Sequence, residues 1–142
     1  VNAVMIPVPG GQAYMMPVAR VMALYRQHSG RQAVCVAETP PSLDVTASRT
    51  GERLYLHVVN TERTRAVAVQ LGVLGQTIAG GEVHQIAVAP EFEVEPQTAD
   101  RLAPQRKALP PGGRWTFPPA SVSALELEPP DHPSAGWVLQ VR

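Results

Sequence analysis

Near residue 30 the apolar pattern of this chain changes its period, and that change limits what the chain can fold into. Within YMMPVARVMALYRQHSG, Tyr14 to Gly30, the residues Val18, Val21, Met22 and Tyr25 recur at i, i+3, i+4 and i+7, the spacing of one helical face. Pro17 suits the first helical turn, where a missing N–H costs nothing, and Gly30 is positioned to stop the helix. From Ala33 onward the period is two. AVCVAE, LDVTASR, RLYLHVVN and RAVAVQLGV are each of strand length, separated by Pro40, Pro41, Gly51 and the polar run 60–64.

Within RLYLHVVN, Leu54, Leu56 and Val58 belong to one face and Tyr55, His57 and Val59 to the other, and SRTGER before it reads as a hairpin turn with Gly51 at positive φ. Further strands are expected in QTIAG, GEVHQIAVA, RWTFP, SVSALELE and GWVLQV. Short strands at this spacing predict a mainly β chain, an antiparallel β-sandwich preceded by one strand and one α-helix. The preceding strand is VNAVMI, a continuous apolar run that predicts burial on both faces. A buried strand, a loop and an amphipathic helix make half of a β/α unit, and the opening of the chain at Val1 directly into that run reads as the continuation of something longer, although processing or tag removal would leave the same start. Residues 90–111, rich in proline, predict a long loop with at most short strand pieces.

The chemistry that the chain offers is sparse. Twelve basic and twelve acidic residues give a formal charge of +0, which provides no field for nucleic acid or an anionic membrane. No apolar run approaches the length of a membrane-spanning helix. Location is left open, with a soluble and cytoplasmic chain as the expectation. Cys35 has no partner cysteine and no adjacent cation to stabilise a thiolate, so it is expected as a small buried side chain.

Glu91, Glu93 and Glu95 in EFEVE share one side of an extended segment. Paired catalytic carboxylates come from different elements at a set separation with one held neutral by burial, so a solvated face is expected here. The four histidines, His28, His57, His84 and His132, are far apart and fit no HxxH or HExxH spacing. His57 and His84 are compatible with adjacent strands but lack an evident third ligand, and no metal or cofactor is expected. Ser42, Ser48, Ser121, Ser123 and Ser134 include none in a GxSxG elbow, and PGGQAY and PPGGRW lack the residues of a phosphate loop, leaving turn roles for their glycines. Trp115 and Trp137 are expected in the core or an interface rather than on a sugar-stacking platform, because rings are only 5% of the chain.

The order VNAVMIPVPGGQAY, PVARVMALYRQHSG, LDVTASRTGERLYLHVVN, FEVEPQTADRLAP and WTFPPASVSALEL resembles the C-terminal end of bacterial α-L-arabinofuranosidases of glycoside hydrolase family 51. In that family a (β/α)₈ barrel carries the active site and a C-terminal β-sandwich packs against it. The resemblance implies that residues 1–30 are the last strand, loop and helix of a truncated barrel and residues 31–142 the sandwich domain. It also implies that the acid/base and nucleophile glutamates lie upstream of Val1, so no catalytic residue is assigned in this chain. The loop 7–14 would follow the last barrel strand, on the face where barrels keep their substrates, which makes Gln12 and Tyr14 candidate substrate contacts of a complete enzyme.

Two departures stand out. The tail beyond Pro129 runs past the family pattern and is expected to add an edge strand over 137–141, and EPQTAD differs from the family's Asn-Pro form. The implied function is that of a non-catalytic region that stabilises the barrel of its parent, a retaining glycoside hydrolase. The barrel is then its partner, and arabinose-containing glycan is reached only through the parent. The alternatives are a carbohydrate-binding module and a structural assembly domain, the latter forming homo-oligomers through its apolar surface.

Overall fold

The structure, a computed structural model, describes residues 2–130 and 137–142. Of the residues weighed from sequence, Val1, His132, Ser134 and the rest of 131–136 lie outside this set. The chain opens with a small hairpin. Strands β1 (Val4–Met5) and β2 (Tyr14–Met15) pair antiparallel, with Val4 opposite Met15 and Met5 opposite Tyr14. The expected burial of this strand on both faces is not found: Val4 is 52% and Ile6 63% exposed. A two-residue pairing offers no layer on either side, and the sandwich supplies none.

Helix α1 (Pro17–Gln27) begins with Pro17 in its first turn and an extended Met16 as N-cap. It lies on the outside of the sandwich, and the side it buries is rotated from the expected one. Val21, Leu24 and Tyr25 face the protein, while Val18 and Met22 remain exposed. The helix ends at Gln27 with His28 as C-cap, so Gly30 does not terminate it. Gly30 is required for a different reason. A Cβ there would sit 2.4 Å from the backbone of Arg49, and its N–H donates to Ser48 Oγ at 2.8 Å.

Ten strands follow: β3 (Gln32–Glu38), β4 (Leu43–Thr50), β5 (Arg53–Asn60), β6 (Val67–Val73), β7 (Gln76–Thr77), β8 (Gly80–Ile86), β9 (Gln105–Leu109), β10 (Arg114–Phe117), β11 (Val122–Glu128) and β12 (Val138–Val141). Their order is β10-β6-β12-β3-β4-β5-β11-β8-β9, with β7 beside β6. The sheet curls into a sandwich because β3 belongs to both layers. Gln32, Ala33 and Val34 pair with β4, and the strand then turns to pair with β12 from Cys35 onward. Alternation along each strand sends one face inward. Leu54, Leu56 and Val58 meet Leu71, Val73, Leu125 and Leu139 in the main core.

Three further expectations are corrected. β12 is not an edge strand: it lies between β6 and β3, and its pairing with β3 is parallel, so the sandwich is mixed. Leu139 and Val141 are 0% and 1% exposed, and that burial draws the tail into the sheet interior. Cys35 is exposed because alternation in β3 turns Val34 and Val36 inward and the thiol outward. The proline-rich stretch 90–111 holds a full strand, β9, with only Leu109 buried. Its register comes from the free backbone edge of β8 rather than from an apolar pattern.

That same stretch also supplies cover for α1. Phe92, Val94 and Leu102 join Ile86, Val122 and Ala124 from the outer face of the sheet to form a second core around Leu24, which is 1% exposed.

Candidate functional site

Two surfaces gather the polar chemistry, and only the first was expected from sequence. The first is the cleft between the β1–β2 hairpin, α1 and the 3₁₀ turn at Ala99–Leu102. Gln12 and Tyr14 both line it, together with Arg20 and Asp100. Gln12 is exposed and Tyr14 half-buried. Arg20 Nη2 lies 3.6 Å from Asp100 Oδ1, while Arg20 Nε is buried and has no hydrogen-bond partner among the described residues. An amide, a phenol and a guanidinium suit hydroxyl-rich ligands. Among the described residues, Asp100 is the carboxylate that lines the cleft, and it is fully open to water.

Glu91, Glu93 and Glu95 all face solvent. Trp115 and Trp137 are half-buried against the main core, and the Arg49 guanidinium sits 5.9 Å above the Trp137 ring. Trp115 also lines an open surface hollow with Gln70, Arg114 and Arg142.

Among the described residues, the large exposed apolar side chains are Val4, Ile6, Val8, Val18, Met22 and Leu74, and all but Leu74 belong to the hairpin or α1. Val18 and Met22, one turn apart, form an outward apolar side on a helix whose other side is already buried in the second core.

The second site lies under the end of α1, where three histidines that sequence spacing left apart come together. His57 and His84 do not meet directly, because β11 runs between β5 and β8 and Ala124 is in register with both. The small Ala124 side chain leaves room for two rings from the helix. Tyr25 stacks on His57 with centroids 4.0 Å apart, and His28 stacks on His84 at 3.9 Å. His28 Nδ1 donates to Glu126 Oε1 at 2.8 Å. His57 Nε2 is 2.7 Å from the carbonyl oxygen of His28, and since a carbonyl only accepts, Nε2 carries the proton.

Burial, and then the neighbouring His28, hold His84 below its ordinary value, so the neutral ring is favoured. Its Nε2 is buried without a hydrogen-bond partner among the described residues; the nearest carboxylate oxygen, on Glu82, is 3.5 Å away. Burial also pushes the Tyr25 phenol up to about 12. Among the described residues, His28, His84 and Glu126 are the grouping able to offer three metal-ligating atoms within 4.8 Å of one another. Helical and strand periods put each of these side chains on the correct face, but the register that joins residues 28, 84 and 126 has no signature in sequence.

No protein-family model matches the chain, and no curated protein matches its sequence. Solved structures do. An α-L-arabinofuranosidase from Thermotoga maritima, solved as an arabinose complex, superposes with a TM-score of 0.72 at 20% identity, over 89% of this chain and 31% of that one. The resemblance read from sequence holds at the level of fold. The thermostable GH51 α-L-arabinofuranosidase of Thermotoga petrophila RKU-1 matches with a TM-score of 0.65 at 21% identity, covering 82% of this chain and 30% of the other. A GH86 protein solved with neoagarooctaose matches with a TM-score of 0.60 at 12% identity, over 91% and 21% of the two chains. This chain therefore spans under a third of the length of the arabinofuranosidase structures it matches. That GH86 protein was solved with a different glycan, so likeness of fold alone names no sugar.

Proposed function

We propose that this chain is the non-catalytic C-terminal β-sandwich region of an α-L-arabinofuranosidase-like glycoside hydrolase, and that it acts by covering and stabilising the catalytic barrel. The observation that carries this reading is the two-sided helix. Leu24, Val21 and Tyr25 are packed on the sandwich, while Val18 and Met22 remain exposed, as do Val4, Ile6 and Val8 of the hairpin. A helix apolar on both sides belongs between two layers. Complete burial of one such side chain contributes about 1.5–3 kcal/mol, so covering these half-exposed ones contributes roughly half that each.

Gln12 and Tyr14, at the rim of this surface, would reach the substrate cleft only in the assembled enzyme. The same surface suits self-association, which is the competing reading. A carbohydrate-binding module is the less favoured alternative, since Trp115 and Trp137 are half-buried against the main core and do not form an exposed aromatic row.

The first test is turnover of an aryl α-L-arabinofuranoside by the purified chain. None is expected, and clear, tag-independent turnover overturns the proposal. The coding sequence upstream of Val1 supplies the second. A barrel with two glutamates at the ends of its fourth and seventh strands is expected, and a start codon adjoining Val1 refutes the reading. Concentration-dependent dimers without such a barrel would favour assembly.

A further inference from the structure

We propose that His28, His84 and Glu126 form a site for one divalent transition-metal ion of the zinc type, which ties the C-terminal end of α1 to the outer face of the sandwich. The three side chains come from three elements: the C-cap of α1, the middle of β8 and the middle of β11. Two imidazoles and a carboxylate are a donor set that zinc accepts, and three protein ligands with a solvent molecule complete a tetrahedron. The ligating atoms lie within 4.8 Å of one another. Zinc bonds of about 2.0–2.1 Å require ligand separations near 3.3 Å, a contraction that would turn the His28 and His84 rings out of their 3.9 Å stack.

Two further observations point to a cation here. His84 Nε2 is buried and has no hydrogen-bond partner among the described residues, an unmet acceptor or donor that a metal bond would satisfy. The site also lies at the C-terminal end of α1, where the helix dipole favours positive charge.

The surroundings hold the backbone of His28 in place. His57 Nε2–H fixes the backbone of His28, and His57 is itself held by the stacked Tyr25 ring. Glu126 already meets His28 Nδ1 through a shared proton. On metal binding that proton leaves Nδ1: a neutral His28 carries it on Nε2 instead, by exchange through solvent, and a protonated His28 releases one proton to solvent. No electron transfer is involved. The ion would be a brace between helix and sheet, with no part in bond cleavage.

The test uses the full chain, freed of any affinity tag and stripped with EDTA, titrated with zinc chloride by calorimetry and followed by thermal unfolding. The expected result is one zinc per chain and a Tm raised by roughly 5–10 °C at a hundredfold excess over Kd, with no response to magnesium. His84→Ala and Glu126→Gln should each weaken binding at least about 100-fold, since even loss of an outer partner of a metal ligand costs up to that much. Circular dichroism of the metal-free variants confirms that they are folded; Glu126→Gln keeps the shape of the side chain and remains informative if His84→Ala does not fold. Cys35→Ser should leave binding unchanged. The proposal is overturned by the absence of saturable 1:1 binding, by an equal response to magnesium, by retention of affinity in Glu126→Gln, or by its loss in Cys35→Ser.

Discussion

His57 Nε2–H donates to the carbonyl oxygen of His28 across 2.7 Å, so a strand in the middle of the sheet holds the last turn of the one helix. The contact is reinforced from above by Tyr25, whose ring lies parallel to the His57 imidazole within 1°. His57→Ala removes both the donor and the stacking surface. A lost partner of a half-buried carbonyl costs about 1–3 kcal/mol and a stacked pair roughly 0.5–1.5 kcal/mol, so a loss of about 2–4 kcal/mol is expected in urea unfolding. Amide exchange should rise first over residues 24–28; a uniform rise along the chain would mean that His57 supports the whole fold rather than the helix end.

Tyr25 carries an opposite expectation. Its hydroxyl is buried without a hydrogen-bond partner among the described residues, and burial raises its pKa from 10.0 to about 12. The folded state therefore keeps the phenol proton at pH values where the unfolded chain has lost it, and stability falls as pH rises from about 10 to about 12. Tyr25→Phe removes the unmet hydroxyl and keeps the ring. It should unfold at equal or slightly higher urea at pH 7 and lose the decline contributed by this group in alkali. A Phe variant weaker by more than about 1 kcal/mol at pH 7 would show that the hydroxyl is satisfied after all.

Much of this architecture is visible in single residues of the sequence. The alternation of Leu54, Leu56 and Val58 defines the inner face of β5, and Gly51 adopts the positive φ of 59° that the hairpin turn requires. The features that escaped are those set by partners. β9 has almost no apolar signal and forms because β8 offers an open edge, and β12 pairs in parallel with a strand roughly a hundred residues earlier. The helix was legible, but its buried side was not: Leu24 rather than Met22 faces inward, because the stretch containing Phe92, Val94 and Leu102 covers that side. The histidine cluster depends on Ala124 leaving space between His57 and His84, a relation that no spacing encodes.

Gly30 shows how a residue that resembles a helix terminator can serve the packing of the chain instead. An added Cβ would lie 2.4 Å from backbone atoms of Arg49, and backbone cannot swing away as a flexible side-chain end can. Gly30→Ala should cost about 1–3 kcal/mol through overpacking. Gly51→Ala meets nothing within 4 Å but forces φ of 59° on an alanine, at about 1–2 kcal/mol. Comparing the two separates collision from strain: a second substitution that shortens Arg49 should not rescue Gly30→Ala, since the clash is with its main chain.

Asn60, only 2% exposed, closes the end of β5. Its Nδ2 reaches the carbonyls of Arg65, Phe117 and Pro118, and its Oδ1 accepts the N–H of Glu62. Asn60→Ala leaves those groups unmet and should cost about 2–4 kcal/mol in unfolding free energy. Asn60→Asp should be worse, because a carboxylate would face carbonyl oxygens that can only accept. Equal stability of the Asp variant and wild type at pH 7 would rule out this bonding pattern.

The apolar surface of the hairpin and helix makes the last prediction, one in which stability and association separate. Ile6 is 63% and Met22 66% exposed, so Ile6→Lys and Met22→Lys break no internal packing and should change the unfolding free energy of the isolated chain by no more than about 0.5 kcal/mol. If this surface is the seat of a barrel, the same substitutions in the complete polypeptide should lower its Tm, because each buries a charge where an apolar side chain had been covered. If it instead joins two copies of this chain, sedimentation should show dimers in the isolated wild type and monomers in the variants. Loss of more than about 1 kcal/mol in the isolated, monomeric variants would count against both, since it would mean that Ile6 and Met22 are already covered within their own chain.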